Sequence, residues 1–221
     1  YNNTVLDDRP GGGIGTVDMR GTLTIINCSV ANNTAGSGGG GIYWIAGSEG
    51  TPGSIIGHMY LQNNIIYNNS SGTGTNWTSD DSTDLYFSSP NTASISYNLI
   101  SNWTPPDNIY LAEGNIDRDP GFVDASNGDY HLSDYSPCLG AGDNTGVPST
   151  DIEENPRPNP AGSNPDIGAY ENPLAEQAHN SFIYVSTDGN DDGSMGFESD
   201  PFATIQAAID YSWDGDTVLV A

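Results

Sequence analysis

The sequence has no lysine, and its only strong cations are Arg9, Arg20, Arg118 and Arg157. Against 29 acidic residues they leave a formal net charge of −25. Binding to nucleic acid or to an anionic membrane surface needs clustered Lys and Arg, so both partners are excluded at this stage. Apolar runs are short, none approaching the ~20 residues of a membrane-spanning helix, which excludes membrane insertion by helices. No signal peptide is visible, since Tyr1 already sits in a polar stretch, which predicts either a mature chain or a slice of a longer one. Cysteine is scarce as well. Cys28 and Cys138 are expected as two buried thiols, with a disulfide between them left open, because a count of two cannot decide pairing.

Charged residues make up only 15% of the chain, so Asn, Ser, Thr and Gly supply the polarity. Glycine is abundant, 28 of 221 residues. Low hydrophobicity with high net charge is a signature of disorder. Here the apolar residues instead form short β-branched and aromatic runs bounded by Gly, Asn and Pro, which is the punctuation of strands. An acidic chain without lysine also suits an extracellular medium containing salt or calcium, which would screen its self-repulsion.

The chain repeats itself. Tyr1-Asn2-Asn3-Thr4 resembles Ala31-Asn32-Asn33-Thr34, Tyr67-Asn68-Asn69-Ser70 and Ser101-Asn102-Trp103-Thr104, with steps of 30, 36 and 34 residues between the first asparagines. Each of the last three follows an apolar run predicted as one strand: Leu23 to Val30, Met59 to Ile66, Ile95 to Ile100. A loop of variable length follows, then a second short strand; Ile42-Tyr43-Trp44 matches Leu85-Tyr86-Phe87 and Ile109-Tyr110-Leu111. Val30, Ile66 and Ile100 are expected to form one inward column, and Ile42, Leu85 and Ile109 another. Strands this short bury a face only by stacking repeat on repeat. Asparagine suits the corners, since it tolerates the left-handed conformation and its amide can bond to the next asparagine in the stack.

The motif Asn32-Asn33-Thr34-Ala35 followed by Gly38 to Trp44 resembles the repeats of right-handed parallel β-helix proteins of pectate-lyase-like architecture, and those of polymorphic outer-membrane adhesins. The stretch from Asp119 to Asp143, closing at Asp166-Ile167-Gly168-Ala169-Tyr170-Glu171, is similar to the last coils of such surface proteins. Phe182 to Ala221 is similar to the cap with which these helices begin. The resemblance implies an all-β chain: a right-handed parallel β-helix solenoid of about four to six coils, with one short amphipathic capping helix near the C-terminus. Asp200 is expected to cap that helix, Pro201 to sit in its first turn, and Phe202, Ile205, Ala208 and Ile209 to form its apolar face.

Three regions are therefore expected: residues 1–171, coils and their closure; 172–181, a linker; and 182–221, a starting cap whose strand belongs to the next solenoid. Joining Thr217-Val218-Leu219-Val220-Ala221 to Tyr1-Asn2 restores the text of an internal repeat. This predicts an assembly interface of those five residues with Tyr1, copies of the chain meeting head to tail through a peptide bond or through strand addition. An arbitrary fragment of a two-domain protein is the alternative.

Chemistry is harder to find. A polysaccharide lyase needs clustered cations, which this chain lacks, and among 29 acids a glycosidase pair is always available, so the pattern carries little information. No catalytic residue is assigned, and His131 is read as a packed strand residue. Asp188, Asn190 and Asp192 follow the first half of a Ca2+ loop, with Glu198 and Asp200 as further candidate ligands. Asn2, Asn32, Asn68, Asn76 and Asn102 lie in glycosylation sequons, Asn76 in a long polar loop. The function expected is that of an extracellular structural protein of a fibre, stalk or surface adhesin. The alternatives are a carbohydrate-active β-helix enzyme and a calcium-dependent glycan-binding module using Trp77 and Trp103.

Overall fold

A computed structural model describes the chain except for residues 5–9, 47–56, 73–83, 88–91, 102, 104, 106–108, 179–180, 192–193 and 213–215. It is mostly strand, with one α-helix among the described residues. The first pass of the chain runs through β1 (Ile14–Met19), β2 (Thr22–Ile26), β3 (Ser29–Ala31) and β4 (Thr34–Ala35). A second runs through β5 (Ile42–Ala46), β6 (His58–Gln62), β7 (Ile65–Tyr67) and β8 (Ser70–Ser71). The third comprises β9 (Leu85–Phe87), β10 (Ala93–Ser96) and β11 (Leu99–Ile100), and β12 (Leu111–Glu113) follows. Every pass revisits the same sheets in the same order. The sheets are β1-β5-β9, β2-β6-β10-β12, β3-β7-β11 and β4-β8, and all their pairings are parallel.

Register places like on like. Leu23, Met59 and Ala93 align, as do Ile25, Leu61 and Ile95. Val30, Ile66 and Ile100 form the expected column and join the principal core. Ile14, Ile42 and Leu85 form another, with Trp44 fully buried beside them. Ile109 touches the core, but the strand after it is not the third copy of Ile42-Tyr43-Trp44. Leu111 pairs with Ser94, so β12 belongs to the β10 sheet. Only ten residues separate Ile100 from Leu111, against eighteen between Ile66 and Leu85; the shorter path bypasses the β5-β9 sheet.

The runs from Leu23, Met59 and Ile95 are each two strands rather than one. Asn27, Asn63 and Tyr97 stand between them at φ of 49°, 53° and 54°. This left-handed conformation turns the chain onto the next sheet. A second corner follows at Asn32 and Asn68, with φ of 57° and 53°. Asn2 adopts φ 58° and repeats that corner one pass earlier, Asn2 N donating to Ala31 O and Thr34 N to Asn3 O.

The residue after each corner forms a ladder of side chains. Asn64 Oδ1 accepts from Cys28 N, Asn98 Oδ1 from Asn64 N and Asn115 Oδ1 from Asn98 N, at 2.9–3.0 Å. Their Nδ2 groups donate to Ile25 O, Leu61 O and Ile95 O. At the other corner Asn33 Oδ1 accepts from Asn3 N, and Asn69 Oδ1 from Asn33 N. Asp84 ends that ladder by accepting from Asn69 N. Each buried amide thus satisfies backbone groups that the turn takes out of the strand pairing.

The closing segment does not add a further pass; it crosses the outer face of β3-β7-β11. Ile65 and Leu99, whose neighbours Ile66 and Ile100 face inward, meet Leu132, Cys138, Leu139 and Ile167 in a second cluster. The antiparallel hairpin of β13 (Phe122–Asp124) and β14 (Asp129–Leu132) belongs to this layer. Tyr130 of β14 lies 4.3 Å from the Tyr1 ring. Corner residues anchor the segment: Asn27 Nδ2 donates to Asp166 O, and Asn63 exchanges bonds with both Asp143 N and Asp143 O. Gly168, at φ +112°, passes so close that a Cβ would lie 2.7 Å from Ile65 Cδ1. The expected linker is anchored at its start. Asn172 is buried and its amide donates to Leu132 O, while Leu174 packs against the second cluster.

A third cluster holds the C-terminal unit, in which β15 (Phe182–Val185) and β16 (Thr217–Val220) pair in parallel beside helix α1 (Ile205–Tyr211). The expected cap is corrected here. Thr204 caps α1, its side chain accepting from Ala207 N. Asp200 is held in a tight turn by a backbone bond to Phe197 O and accepts from Met195 N, so Pro201 lies outside the helix. The apolar face is narrower than its spacing implies. Ala208 is buried, but Ile205 and Ile209 are 51% and 52% exposed.

Candidate functional site

An open cleft of about 510 Å³ lies between the third pass and the C-terminal unit. Tyr67 and Ser101, at the ends of β7 and β11, supply one wall. Asp117, Arg118 and Asp119, from the turn that leaves β12, supply the next. Tyr135 and Gln177 come from the closing layer; Asp191, Met195, Phe202, Asp210 and Tyr211 come from the C-terminal unit. The two sides meet through a few specific contacts. Tyr135 packs edge-on against Phe197 at 4.7 Å, Gln177 Nε2 donates to Tyr135 O and Tyr211 OH, and the Arg118 guanidinium lies 5.8 Å from the Tyr211 ring centroid.

Several carboxylates near the cleft hold structure. Asp119 accepts from Tyr67 OH at 2.6 Å and from Gly121 N at 2.7 Å. Burial, with that bond to Asp119, pushes the Tyr67 phenol upward. Asp84 is buried behind Ser101, whose hydroxyl donates to it; burial raises its carboxyl despite the donors from Ser101 and Asn69. Asp191 accepts from the backbone of Ala203 and Thr204 at 2.8 and 2.9 Å and so steadies the entry to α1. Asp119 and Asp191 are thus acceptors fixed by neighbouring donors in a lining that also carries Tyr67, Tyr135, Phe202 and Tyr211.

A second polar constellation lies in the closing layer. Arg157 Nε stands 2.8 Å from Glu171 Oε1, both side chains buried, and Arg157 Nη2 donates to Gly168 O. Glu171 accepts from Asp166 N and Asn159 N, while Asp166 accepts from Gly140 N and Asn172 N. Burial pushes Asp166 up to about 7. Asp151 gathers the amides of Glu153, Asn155 and Glu171. All of these acceptors bind backbone, which makes the cluster a clamp on an irregular loop. Nearby, His131 Nδ1 is 2.6 Å from Asp129 and Nε2 is 3.1 Å from Glu153, the ring lying tilted by 39° against Tyr170 at 4.2 Å. The imidazole pKa is raised, first by its bond to Asp129. His131 is thus a half-buried strand residue tied to two acids.

The expected sites are distributed as follows. Asp188 and Asn190 lie exposed in a turn closed by Gly189 N on Ser186 O; Asp192 falls outside the described residues. Glu198 and Asp200 are exposed. Among the described residues no three His, Cys, Asp or Glu are grouped to hold a metal ion. Of the sequon asparagines, Asn76 and Asn102 lie outside the described residues. Asn2 and Asn68 are exposed and Asn32 half-buried. Their amides are engaged: Asn68 Nδ2 donates to Asn32 Oδ1, Asn32 Nδ2 to Tyr130 OH, and Tyr130 OH to Asn2 Oδ1. A glycan on Asn32 or Asn68 would have to break this chain. Trp77 lies outside the described residues, and Trp103 packs against the principal core rather than standing free as a platform.

Both cysteines are free. Cys138 is buried, which pushes its thiol strongly upward. Cys28 is exposed, contrary to expectation; it holds the ladder position on the first pass, and its Sγ donates to Ile26 O. Thr217 to Ala221 pair with β15 and not with Tyr1 to Thr4 of the same chain. Nothing in the spacing of the cleft residues announced them. They come from remote segments, and only Arg118, flanked by two aspartates in a chain with four cations, offered a signal. No family model, curated protein or solved structure matches this chain.

Proposed function

We propose that the chain is one unit of an extracellular, right-handed parallel β-helix, a structural protein of a fibre, stalk or surface adhesin assembled head to tail. The observation that carries this reading is a pair of complementary strand edges. β1, β2 and β3 each stand last in their sheets on the same side of the passes. Tyr1 to Thr4 cover only Ala31 to Thr34 of that side, leaving Ser29 and Val30 of β3 without a described neighbour there. β16 is likewise the outer strand of its pair, and its Leu219 and Val220 are 38% and 60% exposed. Open apolar edges recruit another strand.

Sequence supports the match between the two edges. Tyr1-Asn2-Asn3-Thr4 bonds to the first pass as Asn32 to Thr34 bond to the second. A strand entering that corner lies over Ser29 to Ala31, and Thr217 to Ala221 has the composition for it. Such a contact is heterologous and propagates. It joins units equally well by peptide bond or by strand addition. Ca2+ held by Asp188, Asn190 and Asp192 belongs to the same proposal, ordering the turn ahead of α1; a melting temperature unmoved by chelator would remove it.

Sedimentation velocity over a range of concentrations tests the assembly. The intact chain is expected to form a concentration-dependent series, and Leu219→Lys with Val220→Lys, both exposed, to remain a single species, since charge on an edge strand blocks pairing. A series unchanged by the two lysines would overturn the reading.

A further inference from the structure

We propose that the cleft between the third pass and the C-terminal unit binds a linear organic polycation, a chain of ammonium groups joined by short methylene spacers. Its volume, about 510 Å³, lies within the range of small-molecule sites. Three features of the walls choose the chemistry.

First, the walls carry aromatic rings. Tyr67, Tyr135 and Tyr211 line the cleft from three separate segments, and ring faces attract cations. Second, the charge is one-sided. Asp117, Asp119, Asp191 and Asp210 face a single cation, Arg118. Asp119 and Asp191 are fixed by backbone and phenol donors, so their charges are held in place rather than carried on mobile side chains. Third, the protein already seats a cation on this wall, since the Arg118 guanidinium lies over the Tyr211 ring. This contact demonstrates the recognition mode with the chain's own residue, and the remaining carboxylates leave the lining with a surplus of negative charge.

An anionic ligand is disfavoured by that surplus. A neutral polyol gains nothing from it. A compact inorganic cation would use the carboxylates without the rings, and the described acids are not grouped to chelate one. A polyamine uses both: its methylene segments cover aromatic surface while its ammonium groups meet carboxylates. The field of a chain with net charge −25 steers such ligands inward.

The test is isothermal titration of the intact chain with spermidine at about 0.15 M ionic strength, where exposed charges beyond about 8 Å are screened. Magnesium and a neutral glycol of similar length are the comparison titrants. One saturable site is expected for spermidine, at least about tenfold tighter than for magnesium, a difference of ~1.4 kcal/mol. Asp117→Asn with Asp210→Asn, both at exposed positions, is expected to weaken it by about tenfold or more on the same scale. Asp18→Asn with Glu154→Gln removes equal charge elsewhere and is expected to leave it unchanged. Absence of saturable binding, equal binding of magnesium, or equal loss in both double variants would overturn the proposal.

Discussion

The passes and the closing layer solve the same problem in opposite ways. Residues 14–116 satisfy buried backbone with one device reused at each level, an asparagine bonded to the amide of its counterpart one pass away. Residues 117–178 satisfy theirs with individual carboxylates, Asp151, Asp166 and Glu171, each gathering amides of an irregular loop. Repetition spreads the cost of a defect over many equivalent bonds. The closing layer concentrates it in one ionic cluster, so the two regions should respond differently to substitution.

The sharpest break falls in the closing layer. Arg157→Met leaves Glu171 buried without its cation, and loss of one partner of a buried pair costs about 3–5 kcal/mol. Chemical denaturation should show that loss. A cost below about 1 kcal/mol would show that Glu171 is held by its amide donors alone.

Within the passes, Ile66→Ala removes the middle of the inward column and should cost roughly 2–5 kcal/mol. Asn64→Ala takes an acceptor from Cys28 N and a donor from Ile25 O, and should cost about 1–3 kcal/mol for each group left buried and unpaired. The stack is open at Cys28, where water can replace one partner, so the lower end is expected. Hydrogen exchange at Cys28 N and at Asn64 N would separate the two: faster exchange at Cys28 alone locates the damage on one level, while spread over several passes would show that the ladder acts as a unit.

The smallest effect is that of pH; His131 and Asp166 of the closing layer carry most of it, and Asp84 of the passes, raised by burial, acts in the same direction. Folding raises the pKa of His131, so its stabilisation is complete below about 6.5 and is lost as pH rises through the folded value. Asp166 is raised to about 7, and its folded form favours the proton, so stability also falls as pH rises from about 4 to 7. Both signs agree. The acids held low, Asp151 among them, lose stability only as pH falls below the usual carboxylate range. The melting temperature should therefore be higher at pH 5.5 than at pH 8, and Asp166→Asn should reduce the difference. His131 is partly exposed, so its share is small. An equal or higher melting temperature at pH 8 would contradict the assignment.

The repeating part of this architecture was legible because its physics repeats. A paired asparagine every 30–36 residues marks one corner, and Val30, Ile66 and Ile100 are the same position read three times. The other corner was hidden because its positions vary: Asn27, Asn63 and Tyr97 share a left-handed backbone but not a residue type. The closing layer was hidden for a different reason. Ile65 and Leu99 are apolar on the outward face, and a strand buried on both faces does not name what covers it. Similarly, the spacing of Ile205 and Ile209 announces a helical face, yet only packing decides that Ala208 is the residue used. The cleft had no linear trace, since Tyr67, Arg118, Tyr135 and Tyr211 meet only after each region has folded.

Electron microscopy of the concentrated chain, intact and with Thr217 to Ala221 deleted, tests the central claim of head-to-tail assembly most directly. The account predicts unbranched filaments from the intact chain and short, separate particles from the deleted one. Separate particles from the intact chain at every concentration, or filaments that form without β16, would contradict it.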